Sequence, residues 1–157
     1  MTLEEKIVQT LQKQNYTVTT AESCTGGLLA GRILNVSGAS AVYNEGYITY
    51  SNEAKHRLLG VSEKTLEKYG AVSEETAKEM AEGVAKAANA DIGLSTTGIA
   101  GPGGGTPEKP VGLVYMACSI KGSTIVQKHI FQGNREENRN AAVEAVLKLL
   151  QKCLENE

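Results

Sequence analysis

Hydrophobic positions along the chain switch repeatedly between helical and strand spacing, and this pattern predicts an α/β protein. Apolar residues recur three and four positions apart in segments such as 1–14, where Ile7 and Leu11 share one helical face. Short β-branched runs such as 16–21 (YTVTTA) predict strands. The predicted helices cover residues 1–14, 25–36, 51–59, 62–69, 73–89 and 134–154. The predicted strands cover residues 16–21, 42–50, 91–98, 111–120 and 123–131.

The order of these elements predicts the fold class. Helices interleaved with strands predict a three-layer α/β/α domain. The last two strands form a predicted hairpin around Lys121 and Gly122, so the sheet of about five strands is expected to be mixed. A length of 157 residues fits a single domain over 1–157, and the chain shows neither an internal repeat nor a linker.

Composition and charge narrow the function classes. Hydrophobic residues make up 41% and charged residues 22%, which is ordinary for a globular protein and excludes disorder as the main state. A net charge of -2 and an aromatic content of 4% argue against a nucleic-acid or anionic-membrane partner. No apolar run approaches the ~18 residues of a membrane span, and the first residues lack a secretory pattern. We therefore expect a cytoplasmic chain.

The cysteines and histidines do not form a metal-binding pattern. Cys24, Cys118 and Cys153 are odd in number and widely spaced, which argues against a disulfide framework. His56 and His129 do not complete zinc spacing with them. No metal site is predicted from these residues, although the sequence leaves a carboxylate site for magnesium open.

The first candidate site is the segment 21–27 (AESCTGG), which lies between a predicted strand and a predicted helix. Such a junction exposes side chains at the end of a sheet and aims the N–H groups of the helix outward. Ser23 is a candidate nucleophile there. Three alternatives stay open: Ser23 or Thr25 only caps the helix, Cys24 is the nucleophile, or Cys24 is a small thiol packed behind the loop.

The second candidate site is the segment 49–55, where a strand ends and a helix begins. Lys55 can act as a general base if burial lowers its pKa from the reference value of ~10.4. Tyr50 can donate or orient a hydrogen bond. In the alternative interpretation Ser51 or Asn52 caps the helix, and Lys55 is a solvated surface lysine.

The third candidate site is the glycine-dense segment 96–105, which follows a predicted strand. It is neither a P-loop nor a Rossmann fingerprint, because no Gly-Lys-Ser/Thr and no helix follow it. Its backbone N–H groups, including those of Gly98 and Gly101, can still line a ligand pocket. The alternative is a flexible loop without a ligand.

The fourth candidate site is a pair of arginines at the start of the last predicted helix. Arg135 and Arg139 are four residues apart and share one helical face. Two guanidinium groups near helix N–H groups can hold a phosphate or a carboxylate. The alternative is surface pairing with Glu136 or Glu137.

Taken together, these segments resemble a known family, the C-terminal domain of the competence/damage-inducible protein CinA. The similarity extends from about residue 19 to residue 139, and stand-alone members of the family are nicotinamide-nucleotide amidases. It is carried by four strings in order, AESCTGG (21–27), GYITYSNEAKHRLLGV (46–61), GAVSEETAKEMAEG (70–83) and TGIAGPGGGTPEKPVG (97–112).

The resemblance implies hydrolysis of the carboxamide of nicotinamide mononucleotide to nicotinate mononucleotide and ammonia, with neither metal nor organic cofactor. It implies Ser23 as nucleophile, Lys55 as its base, and Tyr50 and Thr97 beside them. It also implies a homo-oligomer with nicotinamide mononucleotide as its small-molecule partner, while charge and composition predict no nucleic-acid or membrane partner. The residues expected to bind substrate are Thr25, Gly26, Gly27, Gly98, Gly101, Arg135 and Arg139.

Two further interpretations remain, a non-catalytic competence or DNA-damage interaction module and a protein that binds nucleotides without converting them. The catalytic interpretation makes a geometric prediction that separates it from both. Ser23 and Lys55 must lie within hydrogen-bond reach of each other, and the Lys55 side chain must be shielded from water, because a solvated ammonium stays protonated at pH 7.

Overall fold

Five strands form one sheet in the computed structural model, which describes all 157 residues. The strands are β1 (Val18–Glu22), β2 (Tyr47–Ile48), β3 (Ile92–Gly98), β4 (Leu113–Ile120) and β5 (Ser123–Ile130). The helices are α1 (Leu3–Gln14), α2 (Leu28–Leu34), α3 (Asn52–Leu59), α4 (Glu63–Tyr69), α5 (Glu74–Ala87) and α6 (Arg135–Glu155), and a short 3₁₀ helix covers Ala39–Ala41.

The sheet is mixed, as the sequence predicted. Its strand order is β2-β1-β3-β4-β5, with β1 parallel to β2 and β3, and β4 antiparallel to β3 and β5. Strands β1, β2, β3 and β5 therefore run in the same direction. Their carboxyl ends meet at one edge of the sheet, which is where ligand sites form in open α/β sheets.

Helices cover both faces of the sheet, so the predicted three-layer α/β/α domain is confirmed. One face packs on α1, α2 and α6 through a large apolar core that includes Leu11, Ile33 and Leu147. The other face packs on α3, α4 and α5 through a smaller cluster that includes Leu59 and Met80. No helix combines the length and the apolar character needed to cross a membrane.

The strand predicted at residues 42–50 is wrong in extent, because only Tyr47–Ile48 forms regular pairing. Tyr43 makes an isolated bridge to Val18 and the Thr49 N–H donates to the Glu22 carbonyl at 2.9 Å, while residues 43–46 are held to β1 mainly through side chains. The Tyr43 hydroxyl lies 2.8 Å from Thr20 Oγ1, and Thr19 Oγ1 donates to the Glu45 carbonyl at 2.7 Å. These bonds replace the backbone ladder that an extended strand would make.

The helix predicted to begin at residue 25 begins three residues later. Gly26 and Gly27 have φ angles of 54° and 104°, in the left-handed region that a helix cannot continue from. The chain therefore turns at these glycines, and α2 starts at Leu28. The turn keeps residues 23–27 as a separate loop at the carboxyl end of β1.

Candidate active site

Ser23 and Lys55 form a direct hydrogen bond at the carboxyl edge of the sheet. Lys55 Nζ donates to Ser23 Oγ at 2.9 Å and to the Thr49 carbonyl at 2.7 Å. Ser23 follows β1, and Lys55 lies in the first half of α3, whose start is capped by the Ser51 side chain. The predicted contact between the two residues is confirmed.

The Lys55 side chain is also shielded as predicted, with 1% of its surface exposed. None of the ion pairs of the protein includes Lys55, so no carboxylate compensates its charge. Burial lowers the pKa of Lys55 from its ordinary value of 10.5 to about 8. A neutral amine, which can accept a proton from a hydroxyl, is therefore accessible near neutral pH.

Cys24, the rival nucleophile, is buried next to Ser23 and packs in the apolar core. Desolvation raises the pKa of its thiol to about 11, so the thiol stays protonated at neutral pH. The geometry therefore favours Ser23 as the reactive group and fits the interpretation of Cys24 as a packed thiol.

A cavity of about 170 Å³ opens over this pair. It contains five of the residues singled out in the sequence besides Ser23 and Lys55, and three to which the sequence analysis gave no role. These three are Ala71, Val72 and Ala100, whose small apolar side chains carry no sequence signal for a catalytic or binding role. The full lining is Ser23, Cys24, Tyr50, Lys55, Ala71, Val72, Thr97, Gly98, Ala100 and Arg135.

The two arginines occupy different environments. Arg135 lines the cavity, where Nη1 donates to the Gly101 carbonyl at 2.9 Å and Nη2 to the Tyr50 hydroxyl at 3.3 Å. Arg139 lies behind the loop that carries Ser23 and is absent from the cavity lining. Neither arginine forms the alternative surface ion pair with a neighbouring glutamate.

Glu22, which sequence reasoning missed, caps the start of α2. Its buried carboxylate accepts hydrogen bonds from the Leu29 N–H at 2.8 Å, the Ala30 N–H at 3.0 Å and Thr25 Oγ1 at 2.6 Å. The N-cap residue Gly27 has no side chain, so the interpretation of Ser23 or Thr25 as the helix cap is wrong. Because a protein carboxylate fills the helix N-terminus, that N-terminus is closed to a substrate anion.

Thr97, Gly101 and Gly98, which the sequence also predicted at the site, contact or shape the backbone around the cavity. The Thr97 hydroxyl donates to the Ala71 carbonyl at 2.7 Å, which fixes one wall of the cavity. Gly101 adopts a φ of 88°, which favours glycine, and presents its carbonyl to Arg135. At Gly98 a Cβ would come within 2.7 Å of the Leu113 carbonyl on β4, so only glycine lets the strands approach here.

Backbone N–H groups around the nucleophile differ in their partners. The Ser23 N–H is already bonded to the Thr96 carbonyl at 3.1 Å. The N–H groups of Cys24, Thr25 and Gly26 donate no hydrogen bond within the protein. Free N–H groups immediately after a nucleophile are the usual donors to a developing oxyanion.

No three His, Cys, Asp or Glu side chains lie together as metal ligands would.

A serine hydrogen-bonded to a desolvated lysine, with free N–H groups beside it, is an arrangement that can carry acyl transfer of the Ser–Lys type. The chain belongs to the CinA C-terminal domain family, which matches residues 1–154. Membership of this family agrees with the resemblance carried by the four sequence strings.

Curated relatives and solved structures agree with this assignment. The chain is 57% identical over 152 residues to a CinA-like protein of Kosmotoga olearia and 55% identical over 153 residues to a competence-damage inducible protein of Clostridium botulinum. These matches cover 97% and 98% of the chain but only 37% of each relative, so the chain spans about a third of their length.

Two crystal structures share the fold over nearly their whole chains. A CinA superfamily protein of Klebsiella pneumoniae has a TM-score of 0.95 at 35% identity, over 99% of this chain and 97% of its own. A competence/damage inducible protein of Agrobacterium tumefaciens has a TM-score of 0.94 at 42% identity, over 98% of this chain and 93% of its own.

Proposed function

We propose that this chain is an amidohydrolase that converts nicotinamide mononucleotide to nicotinate mononucleotide and ammonia. The observation that carries the proposal is the 2.9 Å hydrogen bond between Ser23 and a lysine that is buried without a counter-ion. A merely structural lysine gains nothing from such a position, because desolvation of its charge costs stability. The choice of substrate rests on the family resemblance.

The proposed chemistry proceeds through an acyl-enzyme. Ser23 Oγ bonds to the amide carbon while its proton passes to neutral Lys55 Nζ. The C–N bond then breaks, and the Lys55 ammonium gives its proton to the departing amide nitrogen, which leaves as ammonia. In the second half water attacks the ester carbon and gives a proton to Lys55. The bond to Ser23 Oγ breaks, and that proton restores the hydroxyl.

The free N–H groups after Ser23 supply the proposed oxyanion site. The negative charge that develops on the carbonyl oxygen needs donors that are already in place, and one such donor is worth about 3 kcal/mol. The Cys24 N–H is the first candidate, because Cys24 lines the cavity and directly follows the nucleophile. The N-terminus of α2 is not free for this role, because the Leu28 N–H is bonded to the Thr25 carbonyl and the Leu29 and Ala30 N–H groups are bonded to Glu22.

The position of the reactive pair suggests how the nucleotide lies. The carboxamide must reach Ser23 and Lys55 inside the cavity, which places the pyridine ring against the cavity wall. The ribose phosphate would therefore lie at the mouth, where Tyr50 is 67% exposed and Arg135 carries a charge that no carboxylate compensates. Of the two predicted arginines, Arg135 is the one we propose to bind the phosphate.

Ammonia release tests the proposal. Purified chain incubated with nicotinamide mononucleotide should release ammonia and nicotinate mononucleotide in equal amounts, and the Ser23→Ala variant should release neither. Equal release by both proteins would assign the activity to a contaminant or to another residue. A folded wild-type chain without activity would favour the non-catalytic interaction or nucleotide-binding interpretation.

The partners remain predictions. From its charge and aromatic content we expect no binding to duplex DNA at physiological salt, and micromolar binding that weakens steeply with salt would contradict this. From the family resemblance we expect a homo-oligomer. Sedimentation of a monomer at micromolar concentration would contradict that expectation.

A further inference from the structure

Arg139 directs its guanidinium group at the backbone of the nucleophile loop and not at the cavity. Its Nε donates to the Cys24 carbonyl at 2.9 Å and its Nη2 donates to the Thr25 carbonyl at 3.2 Å. No carboxylate lies within ion-pair distance of it, in contrast to Arg32 and Arg57. The positive charge of this side chain is therefore applied to two successive peptide groups.

These two contacts fix the direction of the N–H groups in the same peptides. A trans peptide is planar, with its C=O and N–H pointing to opposite sides. The only cis peptide in the chain is Gly101-Pro102. Because Arg139 holds the carbonyls of Cys24 and Thr25, the N–H groups of Thr25 and Gly26 point away from Arg139. Neither N–H has a partner within the protein.

Two further contacts hold the loop in this orientation. A Cβ on Gly26 would lie 3.2 Å from Arg139 Nη2, and Gly26 has a φ of 54°, so the glycine leaves space for the guanidinium. On the other side, the Thr25 hydroxyl donates a hydrogen bond to the Glu22 carboxylate, with an oxygen–oxygen distance of 2.6 Å. The loop is thus held through its carbonyls by a cation and through a hydroxyl by an anion.

We propose that Arg139 is a positioning residue: by holding the Cys24 and Thr25 carbonyls it fixes the loop that presents the Cys24 N–H to the cavity, and it directs the Thr25 N–H toward the oxyanion beside it. It acts through the backbone and does not bind the substrate phosphate. The proposal rests on the proposed acyl-transfer function of Ser23. Arg135, four residues earlier on α6, differs because it faces the cavity directly.

Kinetics of three variants test this division of roles. Arg139→Met should lower kcat by about 10²-fold with little change in KM, since losing oriented oxyanion donors affects the transition state. The loss should be the same for nicotinamide riboside, which lacks the phosphate. Arg135→Met should instead raise KM for nicotinamide mononucleotide. Added guanidinium ion should restore part of kcat to Arg139→Ala. A raised KM for Arg139→Met that is confined to the phosphorylated substrate would overturn the proposal.

A substrate-independent probe keeps this test separate from the test of function. Phenylmethanesulfonyl fluoride forms a bond between sulfur and Ser23 Oγ, with loss of fluoride and transfer of the hydroxyl proton to Lys55. Intact mass measured over time gives the rate. We expect Arg139→Met to react at least tenfold more slowly than wild type, and the matched surface variant Arg57→Met to react at the wild-type rate.

Each outcome of the two experiments has a distinct meaning. If the wild-type chain releases no ammonia but Arg139→Met is sulfonylated slowly, the substrate assignment fails and the positioning role stands. If Arg139→Met is sulfonylated as fast as wild type while its thermal unfolding is unchanged, the positioning role is wrong. If Ser23 of the wild-type chain does not react at all, both proposals fail.

Discussion

The start of helix α2 and the wall of the cavity beside it each contain one buried charged side chain, with opposite consequences. Glu22 and Lys55 are equally inaccessible, each 1% exposed. The Glu22 carboxylate accepts two backbone N–H groups and one hydroxyl. The Lys55 amine has a carbonyl and the Ser23 hydroxyl as partners, and no anion.

The two side chains are buried to the same extent and differ in compensation, which is the ground for proposing a structural role for Glu22 and a reactive role for Lys55. The three hydrogen bonds to the Glu22 side chain replace the water that burial removes while it caps the helix. Lys55 has only two neutral partners and no anion, so burial lowers its pKa to about 8 and brings its neutral form close to physiological pH. Substitutions of Ser23 and Lys55 test the proposed reactive role, and substitution of Glu22 tests the structural one.

The largest effect is expected on the reactive side. Ser23→Ala and Lys55→Met should each lower amidase kcat by at least about 10³-fold, because the nucleophile and its base act as one unit. The double variant should be no slower than either single variant. A double variant that loses the product of the two single effects would show that the residues act independently.

On the structural side, Glu22→Gln should lower the free energy of unfolding by about 4 kcal/mol, because an amide group cannot accept all three hydrogen bonds that the carboxylate receives. Urea unfolding monitored by circular dichroism measures this. The matched control is Glu53→Gln, since Glu53 is exposed and pairs with Arg57 on the surface of α3. Its change should stay below about 0.5 kcal/mol. Equal effects of the two substitutions would contradict the capping role.

The stability of the protein should also depend on pH through Lys55. Its pKa is about 8 in the folded chain and 10.5 for an ordinary lysine, so between these pH values the unfolded chain binds a proton that the folded chain has released. The free energy of unfolding therefore rises with pH in this window, by up to about 3 kcal/mol. Lys55→Met removes this contribution, and the difference between the two proteins isolates it. A difference that is flat between pH 8 and 10.5 would contradict the lowered pKa.

The smallest effect on activity is expected at Cys24. Its buried thiol has a pKa raised to about 11 and holds no charge at neutral pH. Cys24→Ala should therefore keep most of the amidase activity, while Cys24→Val tests whether extra volume at this position disturbs Ser23. An inactive Cys24→Ala variant beside an active Ser23→Ala variant would move the nucleophile to the thiol.

Glu22 and Lys55 also illustrate which features of the fold and the site can be predicted from the sequence alone and which cannot. The spacing of apolar residues was sufficient for the helices, the final hairpin and the mixed sheet, because each depends on a local period. The pairing of Ser23 with Lys55, 32 residues away, depends on two strands that end at one edge of the sheet. It could be expected once those strands were predicted to be part of one sheet.

Other features had no local signal. Glu22 caps a helix that begins six residues later, from inside a strand, which is outside the usual N-cap pattern. The edge segment around Tyr43 alternates like a strand but is held through hydroxyl groups. The separate roles of Arg135 and Arg139 depend on which carbonyl each guanidinium meets, and their common helical spacing cannot distinguish them.

The central claim is that Lys55 is a desolvated amine beside Ser23, and a titration of Lys55 itself tests this most directly. Chain labelled with ¹³C at the lysine Cε atoms can be followed by ¹H–¹³C NMR from pH 6 to pH 11, and Lys55→Met assigns the signal by its loss. We predict that the Lys55 signal titrates with a midpoint of about 8, while the surface lysines titrate near their ordinary value of 10.5. A Lys55 midpoint among those of the surface lysines would contradict the account.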